Sequence, residues 1–580
     1  MAPRYILFHA PDPDEREGAA SRAAQRCGLT MVAVPGPFSL VVSDESDVLP
    51  IPGGGAVIGT IFHRHGPPEA IRDLDQRCAE AIRKSNGAHL IERYWGGYLA
   101  AFEMPGGACV LRAPQGALPC FQLRQGGLHI FASDPGLLLK AGLLAPRIDW
   151  DELQRHLFVR DLPSPRTAIA GLCELLPGTC ASLAEDGEGV SQCWSPWDYA
   201  ATLDVMEPEE CAERLGRALQ QCISAWGSRY ANILLSVSGG LDSSIVATTL
   251  ADRGLSFSCL TLATRDPSGD ERSYARIIAA HCHARLHECG YSLDAIDLDR
   301  SVVAHLPRPC GRTHDLAFRA VVTATAAEQG ADAYFTGNGG DNVFYNSASA
   351  RPIADRYLAE GIGPGLVRTL RDVCAVTGAG AWQAMREARR VLKRSGKGYV
   401  WRTDPLFLHS DIAAHDSRQP AEHPWLEAPR EAFPGKAGHV AMLLRMQQHL
   451  DGCDRALPFT LVNPLVSQPI VETCLAIPSW AMCAGGINRA VARDAYVSRL
   501  PPQILERRSK AGPDSFIVEL LTSRLGEIRE RLLGGRLASQ GLLDLDALGA
   551  CLGESRLHTA SEYMRIMALL DTEAWIGHWS

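Results

Sequence analysis

Leu234-Leu235-Ser236-Val237-Ser238-Gly239-Gly240-Leu241-Asp242-Ser243-Ser244 is the stretch that decides the fold. The apolar run Ala231 to Val237 predicts a strand, which ends in a Gly-rich turn. The turn opens a helix over Ser243 to Asp252. Backbone N–H groups at such a turn, backed by a helix N-terminus, cradle a phosphate-type anion. Gly239 and Gly240 let the backbone approach that anion, and Ser238, Ser243 and Ser244 add hydroxyl donors. Asp242 is a hard oxygen ligand suited to Mg²⁺. The loop lacks the Lys and the spacing of a Walker A loop. A bare Gly-Gly turn would read as an ordinary connection; the seven-residue string in strand–turn–helix context reads as an anion site.

The 580 residues suggest two domains or more. A hydrophobic content of 46% and a charged content of 21% are those of a globular chain. The net charge of -9 argues against nucleic acid and anionic membranes as partners. The start, MAPRYILFHAPDPDEREG, is not a signal peptide, because acidic residues follow a short apolar run. No apolar stretch approaches the about 18 residues of a membrane span. The 18 cysteines are scattered without a CxxC pair, so neither a zinc site nor a disulfide framework is expected, and a cytoplasmic setting is. Only six basic residues are Lys, at 84, 140, 393, 397, 436 and 510, which makes a Lys beside other motif residues noticeable.

Residues 1–200 show strand signals at Tyr5–Phe8, Thr30–Val34, Phe38–Val42, Ala56–Phe62, Gly97–Phe102, Cys109–Arg112, Leu128–Ala132 and Cys180–Leu183. Helical patches fall at Pro68–Asn86 and Asp149–Phe158, so an α+β domain is expected. Ser191 to Pro208 reads as a linker. From Glu209 strands and helices alternate: Phe257–Ala263, a helix over Asp270–Cys282, Arg285–Glu288, then Ala331–Phe335. Such alternation gives a parallel, doubly wound sheet with its ligands at the strand carboxyl ends. The remainder, residues 350–580, is mostly helical, as in Ala437–His449, Gln468–Leu475 and Arg489–Arg499.

A second Gly-rich turn, Thr336-Gly337-Asn338-Gly339-Gly340-Asp341, also follows an apolar strand. If the two strands are neighbours, Asp341 shares a Mg²⁺ with Asp242. A third constellation, Arg507-Arg508-Ser509-Lys510, offers cations for departing phosphate. With the Asp270-Glu271 pair, VNPLVSQPIVETCLAIP (462–478) and the run Arg489…Arg493…Leu500-Pro501…Arg507…Lys510, these stretches make residues 200–520 resemble the synthetase domain of the asparagine synthetase superfamily. That domain is an α/β fold of the adenine-nucleotide α-hydrolase type, here residues 201–580 with a helical C-terminal half. The resemblance implies ATP and Mg²⁺ as cofactors. It places pyrophosphate on Ser238, Gly239, Gly240, Asp242, Ser243 and Ser244, and AMP beside Ser236, Leu262 and Gly337. It also implies Mg²⁺ on Asp242 and Asp341, phosphate contact by Arg489 (a Lys is usual there), and Lys510 as the catalytic Lys.

Trp95-Gly96-Gly97-Tyr98, Leu111-Arg112…Gly116-Ala117-Leu118-Pro119, Phe131-Ala132-Ser133-Asp134 and Leu175-Leu176-Pro177-Gly178 resemble the superfamily's glutaminase domain, an N-terminal-nucleophile sandwich. The family nucleophile is a Cys directly after the initiator Met; this chain has Ala2 there, and its first Cys is Cys27. Ala113 to Gln115 also depart from the pattern. Residues 1–200 are thus expected to form a degenerate glutaminase-like domain that releases no ammonia and serves as scaffold.

Without ammonia, another amine must accept the activated carboxylate. Superfamily members lacking the terminal Cys include β-lactam synthetases, carbapenam synthetases and lasso peptide cyclases. Where the β-lactam enzymes carry a catalytic Tyr and asparagine synthetases a Glu, this chain has Asn338, which cannot exchange a proton at neutral pH. GNGGDN and the size of the chain look most like the lasso cyclases. That resemblance implies adenylation of an Asp or Glu side chain of a precursor core peptide and ring closure by its N-terminal amine. It further implies a leader-peptide-binding protein and a leader protease as partners. His314 and Asp315 are candidates for the base on the amine, although such a pair is more often a loop cap or a surface feature. Alternatives are a β-lactam/carbapenam-synthetase-like or other small-molecule amide ligase, a glutamine-independent asparagine synthetase homologue, and a non-catalytic relative that binds nucleotide or a partner.

Overall fold

A computed structural model describes residues 3–116, 118–184, 187–201, 207–396, 398–416, 421–450, 457–508, 512–553 and 559–580. Two antiparallel six-stranded sheets occupy the amino-terminal part. In the first, Tyr5–His9 lies between Leu128–Ala132 and Phe38–Val42. In the second, Tyr94–Met104 lies between Gly55–His63 and Gly107–Arg112. Strand alternation sends Tyr5, Leu7, Phe38 and Leu40 from one sheet and Ile58, Leu99, Val110 and Ala181 from the other into one core, so the sheets stack face to face. The outer faces are covered by helices, among them Pro13–Cys27, whose Ala19, Ala20 and Ala23 are buried.

The carboxyl-terminal part holds a five-stranded parallel sheet. Its order runs Leu286–Gly290, Phe257–Ala263, Ile233–Ser236, Ala333–Phe335, Thr460–Val462. Chain direction across the sheet reverses between Ile233–Ser236 and Ala333–Phe335. A reversal of that kind opens a crevice beyond the strand carboxyl ends, where ligands bind. Helices dominate beyond residue 350, as expected, ending in Ala560–Trp579 with a Thr559/Glu562 capping box.

Several expectations are corrected. Ser191–Pro208 is not a bare linker: it finishes the strand Gly187–Gln192, and Trp194 and Trp197 are buried. The Trp194 indole N–H donates to Glu472 at 2.9 Å and that of Trp197 to the Trp425 carbonyl at 2.9 Å, tying the segment to the carboxyl-terminal part. The helix expected over Pro68–Asn86 is confined to Gln76–Lys84, capped by Asp75. The one expected over Arg489–Arg499 shrinks to Ala490–Ala495, because Arg489 has a left-handed backbone (φ 55°) at its start and Tyr496 leaves the helical conformation (φ -120°, ψ 14°) at its end. Cys109 and Cys180 are disulfide-bonded across adjacent strands, a pairing 71 residues apart that spacing does not announce.

Glu174 pins the two parts together. It is 2% exposed and sits between Arg112, at 2.8 Å, and Arg308, which follows the first three strands of the parallel sheet. Burial alone would raise its pKa, but Arg308 and Arg112 overcome this and hold it below the usual carboxylate range. Glu174→Ala removes the carboxylate that the two buried guanidiniums share and is expected to cost about 3–5 kcal/mol. Chemical denaturation checks this; a loss under about 1 kcal/mol, the range of a surface pair, contradicts it.

Candidate active site

Two loops meet at the crevice. The first leaves Ile233–Ser236 and enters the helix Leu241–Asp252 at Gly240, with no side-chain cap on its first amides. Those amides are left for a ligand. Gly239 has φ 64°, and a Cβ there would lie 2.3 Å from the Cβ of Tyr274, so only Gly fits. Within the loop, Gly240 N–H donates to Ser238 Oγ at 3.2 Å. The Ser244 hydroxyl is buried with no partner among the described residues.

The second loop, Thr336 to Asp341, presses directly on the first. A Cβ on Gly337 would fall 2.6 Å from the backbone N of Ser243, and one on Gly340 2.4 Å from Cγ of Asp242. This interlock brings Asp242 and Asp341 together. Arg489 Nη1 donates to both Asp242 oxygens, at 3.0 and 2.9 Å, and to Asp341 Oδ1 at 2.9 Å. Asn346 Nδ2 also donates to Asp341 Oδ1, at 2.9 Å. Two carboxylates converging on one cationic nitrogen fit a divalent cation as well. No larger group of His, Cys, Asp or Glu suited to a metal occurs among the described residues. The pair therefore suits an ion whose other ligands are nucleotide oxygens and water.

A second tier of arginines supports the first loop. Arg507 donates to the Ser238 carbonyl at 2.9 Å, pairs with Glu271 and lies 4.0 Å over the Tyr274 ring. Arg493 donates to the Arg507 carbonyl at 3.1 Å and the Asn488 carbonyl at 2.9 Å. Burial, then Arg489, lowers the Arg493 pKa to about 10, which leaves it charged at neutral pH. The Asp270-Glu271 pair divides: Glu271 holds Arg507, while Asp270 turns to Arg272 at 2.7 Å.

Ser236, Leu262 and Gly337 lie at the carboxyl ends of three adjacent strands, as anticipated. Arg489 reaches the two carboxylates. Ala2 and Lys510 lie outside the described residues. Beside the second loop opens a cavity of about 570 Å³. Asn338, Gly339, Asp315, Arg319 and Arg445 line it, but His314 does not. His314 is buried, 3.5 Å from Asp315, and burial holds its imidazole below the ordinary His value. Arg445 is the residue that sequence reading missed. Its guanidinium lies 4.7 Å over the Trp401 ring, and its Nη2 is buried with no partner among the described residues. In sequence it is one position of the helix expected over Ala437–His449, and its place at the cavity follows from the packing of Pro434–Leu450 against the chain just after the second loop, where Asn342 Nδ2 donates to the Met442 carbonyl at 2.7 Å.

Behind the cavity wall, Asp571 accepts from Ser301 Oγ at 2.9 Å and from Val302 N–H at 2.7 Å. Burial raises its pKa from 3.8 to about 7. The folded protein binds this proton more tightly than the unfolded chain. Its contribution is thus complete below the unfolded value and is lost as pH rises through about 7. Melting temperature is expected to fall over this window, and Asp571→Asn to flatten the profile; an unchanged slope contradicts the assignment.

A parallel sheet whose switch point carries an uncapped anion loop and a carboxylate pair defines a nucleotide-dependent enzyme class. The asparagine synthase family model matches residues 214–577, more than half of the chain, and the chain belongs to that family. Among curated proteins none matches. Similar solved structures include "the allosteric regulatory enzyme of purine biosynthesis" and glutamine phosphoribosylpyrophosphate amidotransferase from B. subtilis complexed with ADP and GMP. Each is 9% identical, spans 50% of this chain and 80% or 81% of its own, and has a TM-score of 0.20, too low to inform on activity.

Proposed function

We propose that the protein is an ATP-dependent, AMP-forming amide ligase that closes a macrolactam on a precursor core peptide, as a lasso peptide cyclase does. The observation that carries the ligase reading is the convergence of Asp242 and Asp341 beside the uncapped loop Ser238–Ser244. In this mechanism the loop amides and the Ser238, Ser243 and Ser244 hydroxyls hold the pyrophosphate oxygens. Asp242 and Asp341 hold Mg²⁺, which neutralises phosphate charge when bound. An Asp or Glu carboxylate of the peptide attacks the α-phosphorus, the bond to the β-phosphate oxygen breaks, and pyrophosphate stays with the loop. The neutral peptide amine then attacks the acyl carbon, the acyl C–O bond to AMP breaks, and the amine proton leaves with the AMP phosphate or to water. Arg489 and Lys510 are assigned to the departing phosphate, and Asn338 orients the substrate by hydrogen bonding. Holding the peptide folded for ring closure accounts for about 7–11 kcal/mol of the barrier in well-oriented intramolecular reactions.

The cavity beside Asn338 supports a peptide carboxylate as substrate, because Arg445 offers it a buried, unpartnered guanidinium nitrogen. Arg445→Met is expected to lower kcat/KM for the peptide about 10- to 100-fold, in line with the loss of a charge-assisted hydrogen bond of about 1.5–3 kcal/mol, with KM for ATP unchanged. Equal loss on both substrates assigns Arg445 to structure instead. The function itself is tested with ATP, Mg²⁺ and a candidate precursor peptide, with any leader-binding protein and protease supplied. Loss of one water from the peptide, with AMP formed in step, supports cyclisation. Conversion of small β-amino acids instead supports the small-molecule reading. A domain of residues 1–200 acting as scaffold is part of the same proposal.

A further inference from the structure

A cavity of about 930 Å³ opens in the helical half, among Pro364–Thr377, Ala381–Leu392 and the first turn of Pro434–Leu450. That volume is at the upper end of the about 300–1,000 Å³ that ligand pockets span. Val373, Ala384, Val391, Ala432 and Ala437 give it an apolar lining. Arg351, Arg390, Arg394 and Arg402 line it as well, against Glu387 as the one carboxylate among the described lining residues. Glu387 is taken up by Arg390 at 2.6 Å. Arg351, Arg394 and Arg402 form no ion pair with a described residue. Four cations against one anion stand out on a chain whose net charge is -9. Such a surplus raises the local concentration of an acidic partner, and guanidiniums grip carboxylates bidentately.

Two features tie this cavity to the one beside Asn338. The helix Pro434–Leu450 lines the first with Ala437 and the second with Arg445. The eight residues between them span about 12 Å along the helix. The short segment 399–401 repeats one motif at both ends: Arg351 lies 5.0 Å over the Tyr399 ring, and Arg445 lies 4.7 Å over the Trp401 ring. The two rings meet edge to face, 6.2 Å apart. Stacking on a ring steadies a guanidinium and leaves its edge free for hydrogen bonds. We infer that the larger cavity is a second peptide subsite, which binds an acidic segment of the same precursor peptide whose carboxylate lies at Arg445. This rests on the ligase reading for the identity of the peptide. About four extended residues, at about 3.3–3.6 Å each, bridge the two subsites. The acidic segment therefore stands at least that far from the activated residue. Holding the peptide at two points restricts the conformations it must search before ring closure.

The test titrates the full chain calorimetrically with acetylated, amidated tetraglutamate, with tetraglutamine, and with tricarballylate, which carries three carboxylates and no peptide backbone. Tetraglutamate is expected to bind once per chain, at least tenfold tighter than either of the others. Arg394 and Arg402 are exposed, so replacing both with Gln is expected to leave the melting temperature unchanged and to weaken tetraglutamate at least tenfold. Replacing both with Glu is expected to abolish its binding. Failure of tetraglutamate to bind, equal binding of tetraglutamine or tricarballylate, or binding untouched by both double variants overturns the inference. In the cyclisation assay the Gln double variant is expected to raise KM for the precursor peptide about tenfold, with kcat and KM for ATP within twofold of wild type. An unchanged peptide KM overturns the inference and leaves the ligase reading intact. The calorimetry needs no turnover, so a wild-type chain that cyclises no peptide contradicts the ligase reading without altering what the titrations say of the cavity.

Discussion

Arg489→Ala is expected to lower ATP–pyrophosphate exchange about 10²- to 10³-fold, the usual cost of removing a fixed charge from a site of developing negative charge. It is also expected to tighten Mn²⁺ binding to the nucleotide-free protein. The two effects have one cause. Arg489 Nη1 bridges Asp242 and Asp341 at 2.9–3.0 Å, where a cation bound by both carboxylates would compete with it. On the proposed reading, a metal held by Asp242 and Asp341 would displace the guanidinium toward the phosphates. A left-handed backbone at Arg489, φ 55°, makes the docked arrangement one that surrounding contacts must hold. Removing the side chain frees the carboxylates for the ion and deprives pyrophosphate of a partner. Electron paramagnetic resonance of bound Mn²⁺ reads the first effect without turnover. Weaker Mn²⁺ binding in the variant would show that Arg489 assembles the carboxylate pair and does not compete for it.

Gly337→Ala is expected to weaken ATP binding more than tenfold and to destabilise the fold by about 1–3 kcal/mol, the range for overpacking a close contact. The new methyl would meet the backbone N of Ser243 at 2.6 Å and Asp242 C at 3.0 Å. Neither can turn aside as a side-chain tip can, so the loops must part and the carboxylates with them. Gly577→Ala is the control, since nothing lies within 4 Å of a Cβ there. Nucleotide titration and thermal melting read the outcome. Wild-type ATP affinity in Gly337→Ala would show that the loops need not interlock.

Much of this was legible from residues alone where one local signal dominates. Phe38–Val42, Leu128–Ala132 and Phe257–Ala263 are strands over the same residues that the apolar runs mark. The two Gly-rich loops announce themselves because a close backbone approach leaves few residue choices. What escaped depends on partners far away in the chain. The helix Pro13–Cys27 lies outside the helical patches that the sequence marks, yet Asp12 caps it and its small residues pack under the first sheet. Thr460–Val462 is too short to carry a signal and is a strand only because Ala333–Phe335 pairs with it. Trp194 and Trp197 read as linker residues until Glu472 and Trp425 are seen beside them. Arg445 sits in an apparent packing helix, and its unsatisfied donor exists only in the assembled cavity.

The family match implies an ATP-dependent C–N ligase, and the proposed function adds that the carboxylate is activated by AMP transfer. The most direct test supplies a substrate carboxylate labelled with ¹⁸O, together with ATP and Mg²⁺, and analyses the nucleotide by mass spectrometry. One ¹⁸O atom in AMP, with unlabelled pyrophosphate, is the expected result, because the carboxylate oxygen that attacks the α-phosphorus leaves with it. Formation of ADP with the label in inorganic phosphate would place the attack on the γ-phosphorus and contradict the account.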